Sequence, residues 1–386
     1  MSKKKLLLVA PSLKQGGFQR VCARTALLLS EHFEVSIALF DNSDIAYPLE
    51  NIPIYDIGVK AQAGTLNKIL NVLKRIRKVK ALKKQQQIDI SYSFGMSANL
   101  INSLTKVNDT IWCGIRSYID LDTKSLGLVC KKSDWVVCCS KVLEEYIHNR
   151  YPKTKMVTIY NPFDVEKLIE ESKEPIDEKD RSFFENGKKI IAAMGREDVL
   201  KGYWHLIKSF SKLEQPDVAL CIIGNGTFEK EKKLVKELGI EDRVYFTGGK
   251  TNPFAYLKYA NVYVMSSIHE GFPNALVEAM ALDIPVISTN CETGPAEILS
   301  ESFEKVKDSK GMELAEYGIL VPRLKEEPDY EVSEPDAEEM VLTRAIEKML
   351  QDAGLREDYR NRAKERVKEF STLRYINAFQ ELAQRI

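Results

Sequence analysis

Ile190-Ile191-Ala192-Ala193-Met194-Gly195-Arg196-Glu197-Asp198-Val199-Leu200-Lys201-Gly202-Tyr203-Trp204-His205-Leu206-Ile207 is the stretch on which the fold turns. Its first five residues are continuously apolar, the mark of a strand buried on both faces of a parallel sheet. A loop bounded by Gly195 and Gly202 follows, and then a helical apolar pattern through 203–213. Strand, glycine loop and helix in that order make a βα unit. The alternation continues with strands expected over 218–223, 244–247, 262–265 and 285–289, and helices over 230–238 and 274–282. It also runs upstream. Leu6–Ala10 is an apolar run, Gly16-Gly17 turns the chain, and Val21, Ala26, Leu28 and Leu29 follow at helical spacing. Further strands are expected over 33–40, 88–93, 109–113, 134–139 and 156–160. Two such series predict an α/β protein of two Rossmann-like domains facing across a cleft, with ligands beyond the carboxyl ends of the strands.

Between the series, residues 165–188 are dense in charge, contain Pro175 and Gly187, and read as a linker. The acidic stretch 325–339 reads as a solvated loop, and 337–352 and 355–385 read as helices. The chain has 386 residues, with 56 Lys and Arg against 56 Asp and Glu. That balance is uneven along its length: residues 1–160 hold 24 cations and 13 acids, whereas 161–386 hold 32 and 43. The composition excludes a disordered tail, a collagen-like repeat and a disulfide-stapled module. Seven scattered cysteines without a Cys-x-x-Cys pair point to reduced thiols in a cytoplasm. The apolar run before Pro11 is too short for a signal peptide.

Four segments could carry chemistry. In His269-Glu270-Gly271-Phe272-Pro273-Asn274-Ala275-Leu276-Val277-Glu278-Ala279-Met280, Pro273 suits the start of a helix whose free N–H groups can hold an anion. Glu270 and Glu278 flank that turn; their backbones, roughly 12 Å apart, are too distant for a retaining hydrolase pair. The alternative is a cap and a surface charge. Arg196 and Lys201 place two cations on a strand-to-helix loop, suited to a diphosphate or to mere surface ions. Gly224-Asn225-Gly226 ends another strand but lacks the third glycine of a dinucleotide fingerprint. Gly16-Gly17-Phe18 would let backbone approach a ligand, or simply make a tight turn.

Together these segments resemble the GT-B-fold retaining glycosyltransferases of family 4, the group 1 glycosyltransferases. Glu270 to Glu278 matches that family's Glu-x7-Glu motif, and Gly195-Arg196 with Lys201-Gly202 matches its Gly-Arg…Lys-Gly segment. Gly16-Gly17, Ile159-Tyr160-Asn161-Pro162 and Gly318-Ile319-Leu320-Val321-Pro322 fall in family positions. The resemblance implies an acceptor-side domain over 1–164, a nucleotide-sugar domain over 165–365, and a C-terminal helix over 366–386 that returns to the first domain. It implies that Glu270, Arg196 and Lys201 are catalytic. It implies donor contacts from Gly17, Gly224, Asn225, Gly248, Lys250, Phe272, Pro273, Asn274, Ala275 and Glu278. Phe18 and Arg116 would meet acceptor or ligand. Phe18-Gln19 replaces the family's usual Ala-Glu, and Ser91-Tyr92-Ser93-Phe94-Gly95-Met96 lacks the histidine common among relatives.

The implied reaction is transfer, with retention, from a nucleotide-sugar to a glycan acceptor on a lipid carrier during surface polysaccharide synthesis. UDP-sugar is the favoured donor, with GDP-sugar the alternative. A nucleotide-sugar epimerase, a phosphorylase and a non-catalytic nucleotide-sugar-binding partner are the competing readings. Asp120-Leu121-Asp122 spells the metal motif of a different glycosyltransferase fold, but its setting is not that fold, so no metal and no cofactor are expected.

Residues 60–84 hold nine cations, and no acid lies between Asp56 and Asp89. Leu66, Ile69, Leu70, Leu73 and Ile76 recur there at helical spacing. This basic amphipathic helix reads as a contact with an anionic membrane, or as an ordinary surface helix; without interleaved aromatics, nucleic acid is not expected. The expected location is the inner face of the cell membrane, reached peripherally from the cytoplasm.

Overall fold

The computed structural model describes residues 3–49, 51–60 and 64–386; the side chains of Thr65 and Leu66 also lie outside the described set. The chain divides into two units, Met1–Pro162 with Thr372–Ile386, and Phe163–Ser371.

The first unit is built on seven parallel strands: β1 (Lys5–Ala10), β2 (Glu34–Leu39), β3 (Ile54–Asp56), β4 (Ile90–Phe94), β5 (Thr110–Ile115), β6 (Trp135–Cys138) and β7 (Met156–Thr158). Their spatial order is β3-β2-β1-β4-β5-β6-β7. The helices between them are α1 (Gly17–Leu29), α2 (Thr65–Gln86), α3 (Met96–Ser103), α4 (Leu126–Lys132) and α5 (Lys141–Arg150). Alternate strand residues feed two cores. Leu6, Leu8, Ile37 and Tyr92 pack on the α1 side; Leu7, Val9, Ala38 and Phe40 pack on the side of α2 and α3. This is why Leu6–Ala10 of β1 and Ile37–Leu39 of β2 are apolar in succession rather than alternating.

The second unit opens with α6 (Val165–Ser172) and α7 (Glu178–Phe184). Then come β8 (Lys189–Met194), α8 (Tyr203–Ser211), β9 (Val218–Ile223), α9 (Glu229–Glu237), β10 (Val244–Gly248), α10 (Phe254–Leu257), β11 (Val262–Met265), α11 (Asn274–Ala281) and β12 (Val286–Thr289). It finishes with α12 (Pro295–Leu299), α13 (Phe303–Val306), β13 (Glu313–Leu314), β14 (Ile319–Val321), α14 (Ala337–Gln351) and α15 (Ala353–Arg366). The strand order is β10-β9-β8-β11-β12-β14-β13, with only β13 antiparallel among the described strands. Both sheets therefore reverse winding beside their first strand, between β1 and β4 and between β8 and β11. Ligands of doubly wound sheets bind outside such switch points.

Three expectations need correction. Residues 165–188 are not a bare linker. Asp164 caps α6, accepting from the Lys167 N–H at 3.0 Å, and α7 docks by stacking Phe183 on Tyr245, ring centroids 4.7 Å apart. The stretch 325–339 is not simply solvated. Buried Lys208 of α8 reaches Asp329 at 2.5 Å and Ser333 at 3.0 Å, and Tyr330 lies 5.5 Å from the Trp204 ring. Finally, the helix expected over 355–385 breaks at Ser371, between α15 and α16 (Thr372–Gln384).

Only α16 joins the first unit. Phe379 is fully buried, its ring 5.3 Å from Tyr92 and 5.8 Å from Trp112, and Tyr375 shares a 2.5 Å hydrogen bond with Thr25. Residues 366–371 stay with the second unit instead, because Phe370 packs 5.2 Å from Phe272 and its carbonyl accepts from the Phe163 N–H at 2.8 Å.

Candidate active site

At the switch point of the second sheet, the loops after β8, β9 and β11 are tied together by backbone. The Gly195 N–H donates to the Ile223 carbonyl at 3.0 Å, and the Glu197 N–H donates to the Asn225 carbonyl at 2.8 Å. The approach is so close that a Cβ on Gly224 would fall within the Gly195 carbonyl. Glycine is required there for contact, not for its φ. Gly202 needs both: its φ is +57° and a Cβ would strike the Ser266 carbonyl. The Ile268 N–H then donates to the Leu200 carbonyl at 2.8 Å, and Ser266 Oγ donates to the Lys201 carbonyl at 2.9 Å.

These links set the charged side chains. Lys201 Nζ lies 2.7 Å from Glu270 Oε1, which also accepts from Ser267 Oγ at 2.8 Å. The Glu270 carbonyl accepts from Thr293 Oγ1 at 2.5 Å. Arg196 is 63% exposed and forks onto Asp198 at 2.7 and 3.0 Å. Glu278, on α11, is only 1% exposed, so it is not a surface charge; nor does Glu270 cap a helix. Phe272 is buried, and Pro273, Asn274 and Ala275 form the start of α11. Gly249 backs onto Asn225, 3.2 Å from its Oδ1 to a Cβ built on the glycine. So the structure gathers Arg196, Lys201, Gly224, Asn225, Gly248 and Glu270 at one sheet edge.

Lys250 stands apart. It follows Gly248 in that loop, but its ammonium sits 2.6 Å from Asp177 and 2.5 Å from Asp180 and is 7% exposed. These carboxylates raise the Lys250 pKa, against the lowering effect of burial. Its charge is thus committed to α7, a role the sequence reading did not foresee. Lys250→Met should destabilise the second unit by about 2 kcal/mol, because Asp180 stays buried without its cation. That corresponds to about 4–8 °C in thermal midpoint. Scanning calorimetry decides it: an unchanged midpoint with weakened UDP binding would return Lys250 to the donor.

Sequence reasoning also missed Glu197. Its carboxylate accepts from the N–H groups of Thr227 at 2.7 Å and Phe228 at 3.0 Å, which closes the 224–228 turn and holds its pKa down. No local motif marks this, since donor and acceptor are 30 residues apart.

In the first unit, Gly17 opens α1 and the Phe18 ring lies against Gly95, at the β1–β4 switch point. Arg116, just beyond β5, donates to Tyr92 Oη at 3.2 Å and to Asn161 Oδ1. Its guanidinium also lies 5.5 Å from the Phe94 ring centroid. Asp120 is no open metal ligand: its carboxylate accepts from the Arg116 and Ser117 N–H groups at 3.0 and 3.1 Å. All seven cysteines are buried, and burial raises Cys130 to about 11 and Cys113 to about 12, so they are inert thiols.

Residues 175–317 match the family model of the glycosyl transferases group 1. That segment of the second unit is a group 1 glycosyltransferase domain. The protein is therefore an enzyme that transfers glycosyl groups. Over 250 residues it is 34% identical to an uncharacterised glycosyltransferase of Methanocaldococcus jannaschii, covering 63% of this chain and 61% of that one. Over 383 residues it is 28% identical to a Campylobacter jejuni protein, N-acetylgalactosamine-N,N'-diacetylbacillosaminyl-diphospho-undecaprenol 4-alpha-N-acetylgalactosaminyltransferase, covering 94% of each. Two solved structures share the GT-B fold. HepE of Anabaena, in complex with UDP and glucose, has a TM-score of 0.74 at 18% identity and covers 99% of this chain and 100% of its own. The sucrose-phosphate synthase of Thermosynechococcus elongatus has a TM-score of 0.77 at 17% identity and covers 99% of each chain.

Proposed function

We propose that this glycosyltransferase moves a sugar from a UDP-sugar to a lipid-linked glycan, with retention and without a metal, in surface polysaccharide assembly. The observation that carries the reading is the Lys201–Glu270 pair at the switch point, beside the Gly195 and Gly224 loops. As the glycosidic bond breaks, negative charge grows on the departing diphosphate. Lys201, Arg196 and the N–H groups opening α11 are the cations and dipoles available to stabilise it. Glu270 meets the donor sugar, and Glu278 meets the ribose. The acceptor side is supported by the Campylobacter relative, whose name specifies a diphospho-undecaprenol carrier.

The test is UDP release on a panel containing UDP-glucose and UDP-N-acetylgalactosamine, with GDP-sugars as the contrast. Nuclear magnetic resonance of the product reads its anomeric form. UDP binding with no transfer or hydrolysis of any sugar would leave only the non-catalytic reading.

The membrane contact falls to α2. Its nine neighbouring cations are not equivalent. Lys60 pairs with Asp41 at 3.3 Å, Arg75 donates to the Val59 carbonyl at 2.7 and 2.9 Å, Lys78 donates to the Ile57 carbonyl at 2.6 Å, and Lys83 is buried. Lys68, Lys74, Arg77, Lys80 and Lys84 are exposed. The apolar seam divides as well. Ile76 and Val79 face the core, whereas Ile69, Leu70 and Leu73 are 54%, 44% and 58% exposed. The outward face of α2 thus mixes exposed apolar residues with Lys68 and Lys74 in its first half and is cationic in its second. That suits shallow insertion among anionic headgroups, at about 1 kcal/mol per nearby cation. Among the described residues, no helix is long and apolar enough to cross a membrane. The inner leaflet, reached from the cytoplasm, is the proposed location. Vesicles containing phosphatidylglycerol should retain the protein and pure phosphatidylcholine should not. Salt, or Lys74→Glu with Arg77→Glu and Lys80→Glu, should release it. Binding indifferent to salt and to these changes would make α2 an ordinary surface helix.

A further inference from the structure

His269 precedes Glu270 yet has no part in the reading above. Its Nδ1 lies 2.9 Å from Glu292 Oε2, and its Nε2 lies 3.4 Å from Glu326 Oε1. The ring is 14% exposed, Glu292 is 9% exposed and Glu326 is 65% exposed. Three separate segments meet here: the loop after β11, the loop after β12, and the stretch leading to α14. Arg323 Nη1 lies 3.2 Å from Glu292 Oε1, and Arg323 Nε donates to the Asn290 carbonyl at 3.1 Å. Beyond it, Asp308 is 3.7 Å from Arg323. On the other side stands the Glu270–Lys201 pair.

Both nitrogens of His269 face carboxylate oxygens. Glu292 thus meets a nitrogen-bearing side chain at each oxygen, His269 at Oε2 and Arg323 at Oε1. The group of His269, Glu292 and Glu326 has the residue types of a divalent-metal site, with ligand atoms within 4.8 Å of one another. The adjacent guanidinium already supplies positive charge to it, which disfavours a second cation.

We propose that His269 is a positioning residue. It pins the Glu270 loop to the loop after β12 through Glu292, and to the 325–339 stretch through Glu326. Three supports then bear on the peptide that carries Glu270: Thr293 on its carbonyl, Ser267 on its carboxylate, and His269 at the preceding residue. The consequence is that the acidic stretch, anchored on α8 by Lys208, is mechanically joined to the residue facing the donor sugar. This inference rests on Glu270 being that residue.

The full chain is tested by amide hydrogen exchange over residues 266–276 and by turnover of the two UDP-sugars. The variants are His269→Ala, Glu326→Gln and the pair combined. Glu326 is exposed, so its variant keeps the fold. His269→Ala should speed exchange in that segment about tenfold and lower kcat about tenfold, with the donor KM changed less than threefold. Glu326→Gln should do the same to a lesser degree. The double variant should match His269→Ala alone, since His269→Ala already removes the contact that Glu326→Gln weakens. Unchanged exchange, or additive effects in the double variant, overturns the proposal. So does stoichiometric Mn2+ or Zn2+ binding by the wild type that His269→Ala abolishes. If neither sugar is turned over, the proposed function falls, while the exchange data still decide on His269.

Discussion

Lys201→Ala is expected to lower turnover of the UDP-sugar by two to three orders of magnitude, about 10²–10³-fold, while leaving the protein folded. The side chain is 27% exposed, and the backbone hydrogen bonds that shape its loop do not involve the ammonium. Its loss removes the charge nearest to Glu270 at the switch point. The cost belongs to the transition state, because the diphosphate gains charge as it departs. The kcat should therefore fall further than the affinity for UDP. Lys201→Arg should restore part of the rate, since a guanidinium can serve a diphosphate in altered geometry. Turnover within threefold of wild type would remove Lys201 from the catalytic machinery. It would also leave the Glu270 pairing as a structural contact.

Asp109→Ala should cost about 3–5 kcal/mol of stability in the first unit. Lys83, near the C-terminal end of α2, and Asp109, at the start of β5, are both 0% exposed, with Nζ 2.9 Å from Oδ2. The contact is an ion pair rather than a well-aligned hydrogen bond, and the other bonds to Asp109 come from Ser91 Oγ at 2.6 Å and the Val107 N–H at 2.9 Å. Without Asp109, a buried ammonium loses its counter-charge. Lys83→Met with Asp109→Ala should recover part of the loss, because Met fills the space of the lysine stem and no buried ammonium is left, while Ser91 and the Val107 N–H still lack their acceptor. Urea unfolding checks both variants; a loss below about 1 kcal/mol for Asp109→Ala would contradict the argument. The pH sign follows from Asp109. Burial raises its pKa, but Lys83, Ser91 and the Val107 N–H together hold it below the usual carboxylate range. Its contribution is complete above the unfolded-state pKa, about 4, and fades as pH falls towards the lower folded value. Asp109→Ala should therefore flatten the acid limb of stability against pH.

The elements legible in the sequence were those whose burial is continuous along the chain. β1, β8 and β9 lie inside apolar runs because both faces of their sheets are covered, so no partner needs to be known. α6 and α7 were hidden because their stability is not local. α7 offers only Phe183, Phe184 and Asp180 to the core, and its anchor, Lys250, is 70 residues away. The two-residue β13 has no pattern of its own and exists only by pairing with β14. The site divides in the same way. Lys201, Glu270 and Glu278 were marked by motif and spacing. Glu197 and His269 act on partners brought near only by the fold. In α2, spacing correctly indicated an amphipathic helix, but not which of its apolar residues the core takes: Ile76 packs inward with Val79, whereas Ile69, Leu70 and Leu73 stay exposed.

The two crossings of the chain between its units, at Pro162 and Ser371, carry a consequence for order in time. The second unit is one unbroken segment, so everything it needs is present once Ser371 has been synthesised. The first unit has its seven strands early, but Tyr375 and Phe379 reach their places beside Thr25, Tyr92 and Trp112 only after the second unit has been made. The half that begins first on the ribosome therefore finishes last. During that interval Trp112 and Tyr92 wait without their cover, so a ribosome stalled between 163 and 371 would hold a chaperone client rather than a finished domain.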